Sequence, residues 1–318
     1  MSNDVVVETD GLTKKYGDIV ALESLSIQVR RGQILGFIGP NGAGKTTTIK
    51  ILVGQARPTR GSASIAGVDC VNDAQRIKEL VGYMPDTFGT YDNMRVHEYL
   101  DFFGAAFGIP RRDRILRVEE VLETAGATYM RDRFVESLSH GMKQRVAIAR
   151  TLLHDPEVLI LDEPANGLDP QARIEMRELL LQLASMGKTL IVTSHILPEL
   201  SRICDQVAII THGKLRAFGA LNEILREVGQ QRRIEIQLLD ADSADRAAGI
   251  VRQNVEKDAD VVASSTEFTI RFQTSHSEQD LGALLSQLVT AGVTVSQFRE
   301  EAMDLEDTFL SITQQTAS

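Results

Sequence analysis

Five apolar residues, Ile34-Leu35-Gly36-Phe37-Ile38, run directly into Gly39-Pro40-Asn41-Gly42-Ala43-Gly44-Lys45-Thr46-Thr47. An apolar run of that length ending at a glycine reads as a buried strand. The stretch from Lys45 to Val53 has helical spacing. The turn between them matches G-x-x-x-x-G-K-[ST], the P-loop pattern. Glycines let such a backbone curl until its N–H groups point inward at phosphate oxygens. The helix that follows adds its positive N-terminal end. Lys45 then sets an ammonium against β and γ phosphates, and the Thr46 hydroxyl is a ligand for Mg²⁺. Gly39 through Thr47 is the candidate phosphate-binding set.

A second apolar run, Val158-Leu159-Ile160-Leu161, delivers Asp162 and Glu163 at its end. In open α/β sheets ligands sit at the carboxyl ends of strands. Asp162 is placed to hold Mg²⁺ and Glu163 to act as base, or orienter, for an attacking water. Apolar strands often end in acids, so this pair gains its meaning from the P-loop.

Further short strands are expected at 19–29, 62–66, 80–84, 189–193 and 206–211, with helices over 94–126 (broken at Pro110), 140–153, 170–186 and 197–203. Strands alternating with helices argue for a mostly parallel α/β sheet. Phe102, Phe103 and Phe107 are expected mostly to fill a core. Beyond about residue 230 the order becomes β-α-(β)-β-α-β, a small split-βαβ domain. A last helix is expected from Asp304, with Leu305, Phe309 and Ile312 on one face. The expected domains are 1–228, with a helical subdomain at about 87–150, and 229–318.

The net charge is −10, and residues 230–318 hold 15 Asp/Glu against 7 Lys/Arg. An acidic chain is a poor binder of nucleic acid through bulk phosphate attraction, so no nucleic-acid partner is expected. Cys70 and Cys204 belong to no Cys/His cluster, which fits a reducing compartment and packing roles. No run of 18 apolar residues occurs, and the N-terminus lacks the features of a signal peptide.

Leu138-Ser139-His140-Gly141-Met142-Lys143-Gln144-Arg145 opens a helix about twenty residues before the acidic strand end. Here the sequence resembles the ABC ATPase family, whose signature is Leu-Ser-Gly-Gly-Gln; His140 departs from the usual glycine. Ser139 is suited to N-cap the helix. The resemblance covers about residues 5–225 and implies an α/β P-loop ABC ATPase domain with a mixed sheet core and a helical subdomain. It implies that Ser139 and Gly141 meet the γ-phosphate held on a second subunit, so that ATP binds two subunits together.

The resemblance also implies that Tyr16 stacks on adenine, that Gly167-Leu168-Asp169 is the D-loop, and that His195 contacts the γ-phosphate. Asp86, in Tyr83-Met84-Pro85-Asp86, stands where the family usually has glutamine and remains a candidate Mg²⁺ ligand. The Met-Lys-Gln-Arg tail, the Glu98-Tyr99-Leu100-x-Phe102-Phe103 stretch and the ending Leu305-Glu306-Asp307-x-Phe309-Leu310 are similar to ATPase subunits paired with ABC-2 type permeases, mostly exporters. The implied partners are a separate membrane permease, touched by residues 87–135, and a second ATPase subunit in a homodimer. The implied place is the cytoplasmic face of the membrane. A soluble non-transport ABC ATPase and a nucleotide-dependent regulator are the alternatives. The C-terminal domain binds a regulator, docks a partner or steadies the dimer.

Overall fold

Alternation over Ile19–Arg30 (strand β2) buries Leu22, Leu25, Ile27 and Val29 and exposes the residues between them. It pairs antiparallel with β1 (Val5–Tyr16) through a tight turn that sets Tyr16 opposite Ile19. Strands β4 (Arg60–Ile65) and β5 (Val68–Asp69) complete an antiparallel sheet of order β2-β1-β4-β5. The computed structural model describes residues 5–87, 89, 93–194, 200, 202–221, 223–224, 232–240, 243–255, 259, 261–264 and 266–301. The chain packs as two units, Met1–Leu221 and Asn222–Ser318.

The second sheet of the first unit has the order β10-β9-β3-β8-β7-β6. Its strands are β3 (Ile34–Ile38), β6 (Val81–Met84), β7 (Val158–Asp162), β8 (Thr189–Ser194), β9 (Gln206–Thr211) and β10 (Lys214–Ala220). All pairings are parallel except β9 with β10. Every residue of β3, β7 and β8 is buried, as strands covered on both faces must be. The pattern of the sequence leads one to expect a mostly parallel sheet, and this one is. The antiparallel sheet agrees with the mixed sheet core that the family resemblance implies, while β1, β5, β10 and helix α2 (Ala74–Leu80) are additions to the expected elements. Helix α1 (Lys45–Leu52) buries Ile49, Ile51 and Leu52 in one continuous core with Val7, Leu12 and Leu25 of the first sheet and Phe37, Ile160 and Ile191 of the second.

The register decides where chemistry falls. Ile38 stands beside Ser194, and Asp162 beside Thr193. The carboxyl ends of β3, β8 and β7 therefore lie level, and the turn after β3 and the acids of β7 share one edge of the sheet.

Helices α3 (Val96–Ala106), α4 (Arg111–Thr124) and α5 (His140–Leu152) form a cluster beside β6. Val96, Tyr99 and Leu100 are fully buried. The Tyr99 hydroxyl accepts from Arg150 at 2.8 Å and donates to the Gly89 carbonyl at 3.0 Å. Phe102 and Phe107 do not fill the core as expected: they are 45% and 43% exposed. The inward stripe of α3 is already taken by Val96, Tyr99, Leu100 and Gly104. Helix α6 (Pro170–Ser185) packs on β8.

In the second unit β11 (Arg232–Leu238), α7 (Ala244–Asn254), β12 (Val261–Ser264), β13 (Thr269–Thr274), α8 (Glu278–Thr290) and β14 (Val295–Glu301) make an antiparallel sheet of order β12-β13-β11-β14. Each helix crosses over one strand, the split-βαβ arrangement. Ile234, Ile236, Ile270 and Phe272 pack with Ala247, Val251, Leu284 and Leu288. The helix expected from Asp304 lies outside the described residues.

On the central strand Glu235 stands opposite Arg271 on one side and Arg299 on the other. Its side chain is 4% exposed and accepts from them at 2.7 and 2.5 Å. Burial alone would raise this carboxyl, but the two guanidiniums outweigh it and hold it below its ordinary 4.5. A carboxyl lowered by folding stabilises above its unfolded value, and that contribution is lost as pH falls through the folded value. Hydrogen-exchange protection of β11, β13 and β14 is therefore expected to drop below about pH 4.5. Glu235→Gln is expected to show lower protection at pH 7 and a flatter dependence on acid.

Candidate functional site

The turn after β3 is built for close approach by a ligand. Gly44, the N-cap of α1, has φ 113°, and a Cβ there would come within 2.7 Å of the Ala21 carbonyl oxygen. Only glycine fits. No side chain caps α1, so its first N–H groups stay turned toward the loop. Lys45 is 7% exposed and folds back over the loop, donating to the Gly39 carbonyl at 2.6 Å and the Pro40 carbonyl at 3.3 Å. Burial pulls its ammonium below the usual lysine range, while Glu163 and Asp162 oppose the fall.

At the end of β7, Asp162 is 6% exposed. Burial raises its carboxyl, a hydrogen bond from Thr193 works against this, and the charges of Glu163 and Asp86 add to the rise. The Thr193 hydroxyl donates to Asp162 Oδ1 at 2.6 Å and accepts from the Glu163 backbone N–H at 2.9 Å. Glu163 itself has φ 53°, a left-handed conformation that side chains other than glycine, asparagine and aspartate seldom adopt. Thr193 thus pins both acids, and one of its hydrogen bonds holds the strained residue in place.

These parts enclose a hollow of about 230 Å³ lined by Ala21, Pro40, Asn41, Gly42, Ala43, Gly44, Lys45, Thr46, Thr47, Asp86, Asp162 and Glu163. The predicted set comes together here, with Gly39 set back as a carbonyl partner of Lys45. Tyr16 is not among the described residues of this wall. It ends β1, 49% exposed, with the Lys14 ammonium 4.8 Å from its ring centre. His195 lies outside the described residues; Ser194 before it is buried at the end of β8.

Ser139, Gly141 and Asp169 line a different hollow, of about 370 Å³, with Tyr129, His140, Met142, Arg145 and Glu175 among its walls. Ser139 caps α5 by accepting from the Met142 N–H at 3.4 Å, and Asp169 caps α6 by accepting from the Ala172 N–H at 2.9 Å. The two hollows have no described lining residue in common. Within one chain, the phosphate loop and the Ser139 surface are separate.

A glycine-rich loop between strand and helix, a lysine folded over it and two acids on a neighbouring strand end define a P-loop nucleoside triphosphatase. Residues 22–166 match the ABC transporter family. Nod factor export ATP-binding protein I of Ralstonia nicotianae is 39% identical over 225 residues, 70% of each chain. Linearmycin resistance ATP-binding protein LnrL of Bacillus subtilis is 30% identical over 98% of this chain and 99% of its own. Bacitracin transport ATP-binding protein BcrA of Bacillus licheniformis is 35% identical over 96% and 97%. A solved ATP-binding subunit of an ABC transporter superposes with TM-score 0.64 at 32% identity, covering 70% of this chain and 93% of the other. The chain belongs to the ABC transporter ATP-binding proteins, ATPases that bind and hydrolyse ATP.

Thr193 escaped the sequence reading. A threonine inside an apolar strand carries no signal of its own; its partners are set by the pairing of β7 with β8. Thr193→Val keeps the volume and removes both hydrogen bonds. ATPase kcat is expected to fall about tenfold, the scale of a hydrogen bond to a charged group. Thr193→Ser is expected to stay within about threefold of the parent, as measured by steady-state phosphate release.

Proposed function

We propose that this chain is the ATP-driven subunit of an ABC exporter, working as a pair of identical chains beneath a separate membrane permease. The observation that carries the reading is the division of the site. The phosphate loop and the acids line one hollow, while Ser139 and Gly141 at the start of α5 line another. A nucleotide in the first hollow of one chain is completed by the second hollow of its neighbour. The positive end of α5, capped by Ser139, then faces the γ-phosphate.

In this reading the N–H groups of Gly42 to Thr47 and the Lys45 ammonium hold the phosphates. Glu163 takes a proton from, or orients, the attacking water, and His195 supports the γ-phosphate. Tyr16 stacks on the base, and Asp169 joins Ser139 and Gly141 at the neighbour's nucleotide. Asp162, Thr46 and Asp86 are the candidate holders of Mg²⁺. They line one hollow, their oxygens suit a hard cation, and the charges of Glu163 and Asp86 already press on the buried Asp162. Bound there, the ion would neutralise charge on the phosphates.

Export is supported by relatives named for Nod factor export, linearmycin resistance and bacitracin transport. No helix among the described residues is long and apolar enough to cross a membrane. In this reading the chain attaches to the inner face of the membrane through the permease. Residues 87–135 supply the docking surface; Phe102, Phe107, Ile115 and Leu116 are exposed there. The two resistance and transport relatives align over nearly the whole chain, which supports reading residues 229–318 as an accessory domain of that branch.

The test is the mass in solution of Glu163→Gln. With ATP it is expected to double from 35.0 kDa, since binding survives while turnover stops. A mass that stays at one chain while ATP binds would refute the homodimer.

Asp86→Gln tests the Mg²⁺ assignment. Removing a negative charge beside the phosphates is expected to leave ATP affinity unchanged or raised in a nucleotide titration with and without Mg²⁺. Complete loss of Mg²⁺-dependent binding would overturn the placement of Tyr83-Met84-Pro85-Asp86 as the loop in which Asp86 stands for the family's usual glutamine.

A further inference from the structure

His140, where the family usually has glycine, is the first residue of α5, and its ring reaches the loop between β7 and α6. Its Nε2 lies 2.8 Å from the Asn166 carbonyl oxygen. A carbonyl only accepts, so Nε2 carries the proton. The same nitrogen lies 3.3 Å from the side-chain nitrogen of Gln144, one turn further along the helix. Two donors do not face each other. Gln144 is 2% exposed, and its side-chain oxygen has no hydrogen-bond partner among the described residues. Turning that amide through half a turn leaves its shape unchanged and removes the approach of two donors. Its oxygen then accepts from the same Nε2–H that reaches Asn166. Gly167 lies against the ring: a Cβ there would stand 3.4 Å from Nε2, in contact without overlap, and its φ of 69° disfavours other residues.

We infer that His140 is a positioning residue for the ATP reaction. Its imidazole, backed by the Gln144 amide, ties the start of α5 to the loop carrying Asp169. It thereby sets the Ser139 and Asp169 walls of the second hollow before a neighbouring chain arrives. A glycine at this position has no side chain with which to make the tie. Surfaces already ordered lose less freedom on association, so the tie favours the nucleotide-bound pair over the free chain. The role in pairing rests on the dimer proposed above; the tie itself does not.

The test uses the full chain with Glu163→Gln as parent, and adds His140→Ala or His140→Gln. The glutamine amide reaches about as far as Nε2 and keeps an N–H. Without nucleotide, amide exchange over Ala165–Asp169 is expected to quicken about fivefold in His140→Ala and to return toward the parent in His140→Gln. With ATP, the dissociation constant of the pair is expected to rise about fivefold in the alanine variant and recover in the glutamine variant. Binding of ATP to the single chain stays within about twofold, because His140 does not line the phosphate hollow. Unchanged exchange in His140→Ala, or a glutamine variant as defective as alanine, would overturn the tie. A parent that never pairs with ATP would sink the role in pairing, while the exchange result still judges the tie.

Discussion

The site depends on three strand ends standing level. Strands β3, β8 and β7 are neighbours, and their register sets Ile38 beside Ser194 and Asp162 beside Thr193. Sliding any strand by one residue would turn its side chains to the opposite face of the sheet. The phosphate loop would then curl toward the wrong acids. The Thr193 hydroxyl adds a lateral bond at this edge, between Asp162 and the backbone of Glu163. Every residue of the three strands is buried, so a slipped strand would have to repack both of its faces.

The electrostatics of the hollow follow from that packing. Asp162, Glu163 and Asp86 converge with the single ammonium of Lys45 among the lining residues. Burial works against charge on both Asp162 and Lys45, and the two groups partly relieve one another. An excess of carboxylate opposite a loop of N–H donors suits a ligand that brings negative phosphates together with a cation.

The sequence made β3, β7, β8 and β9 plain because each is a short apolar run bounded by turn residues. It hid β1, whose twelve residues mix Glu8, Asp10, Lys14 and Lys15 with buried positions, and whose pairing shifts register around Gly11. It hid β10, which is mostly half-exposed and follows β9 through a two-residue turn. The phosphate loop and the acidic pair were legible because their chemistry is local. Thr193 was not, because its meaning lies on another strand 31 residues away. His140 stood out as a departure, but its partner Asn166 became visible only once α5 and the loop after β7 were packed together.

The interleaving of the parallel sheet also orders its own assembly. β3 ends at residue 38, yet its two neighbours begin at residues 189 and 206. As the chain emerges from the ribosome, the strand bearing the phosphate loop has no lateral partner until synthesis has passed residue 189. Pairings between residues so distant in sequence form late and slowly. An apolar strand waiting that long with both edges open is a hazard for aggregation. The arrangement that concentrates the chemistry at one edge therefore leaves its central strand open to wrong pairing for most of the time the chain takes to fold.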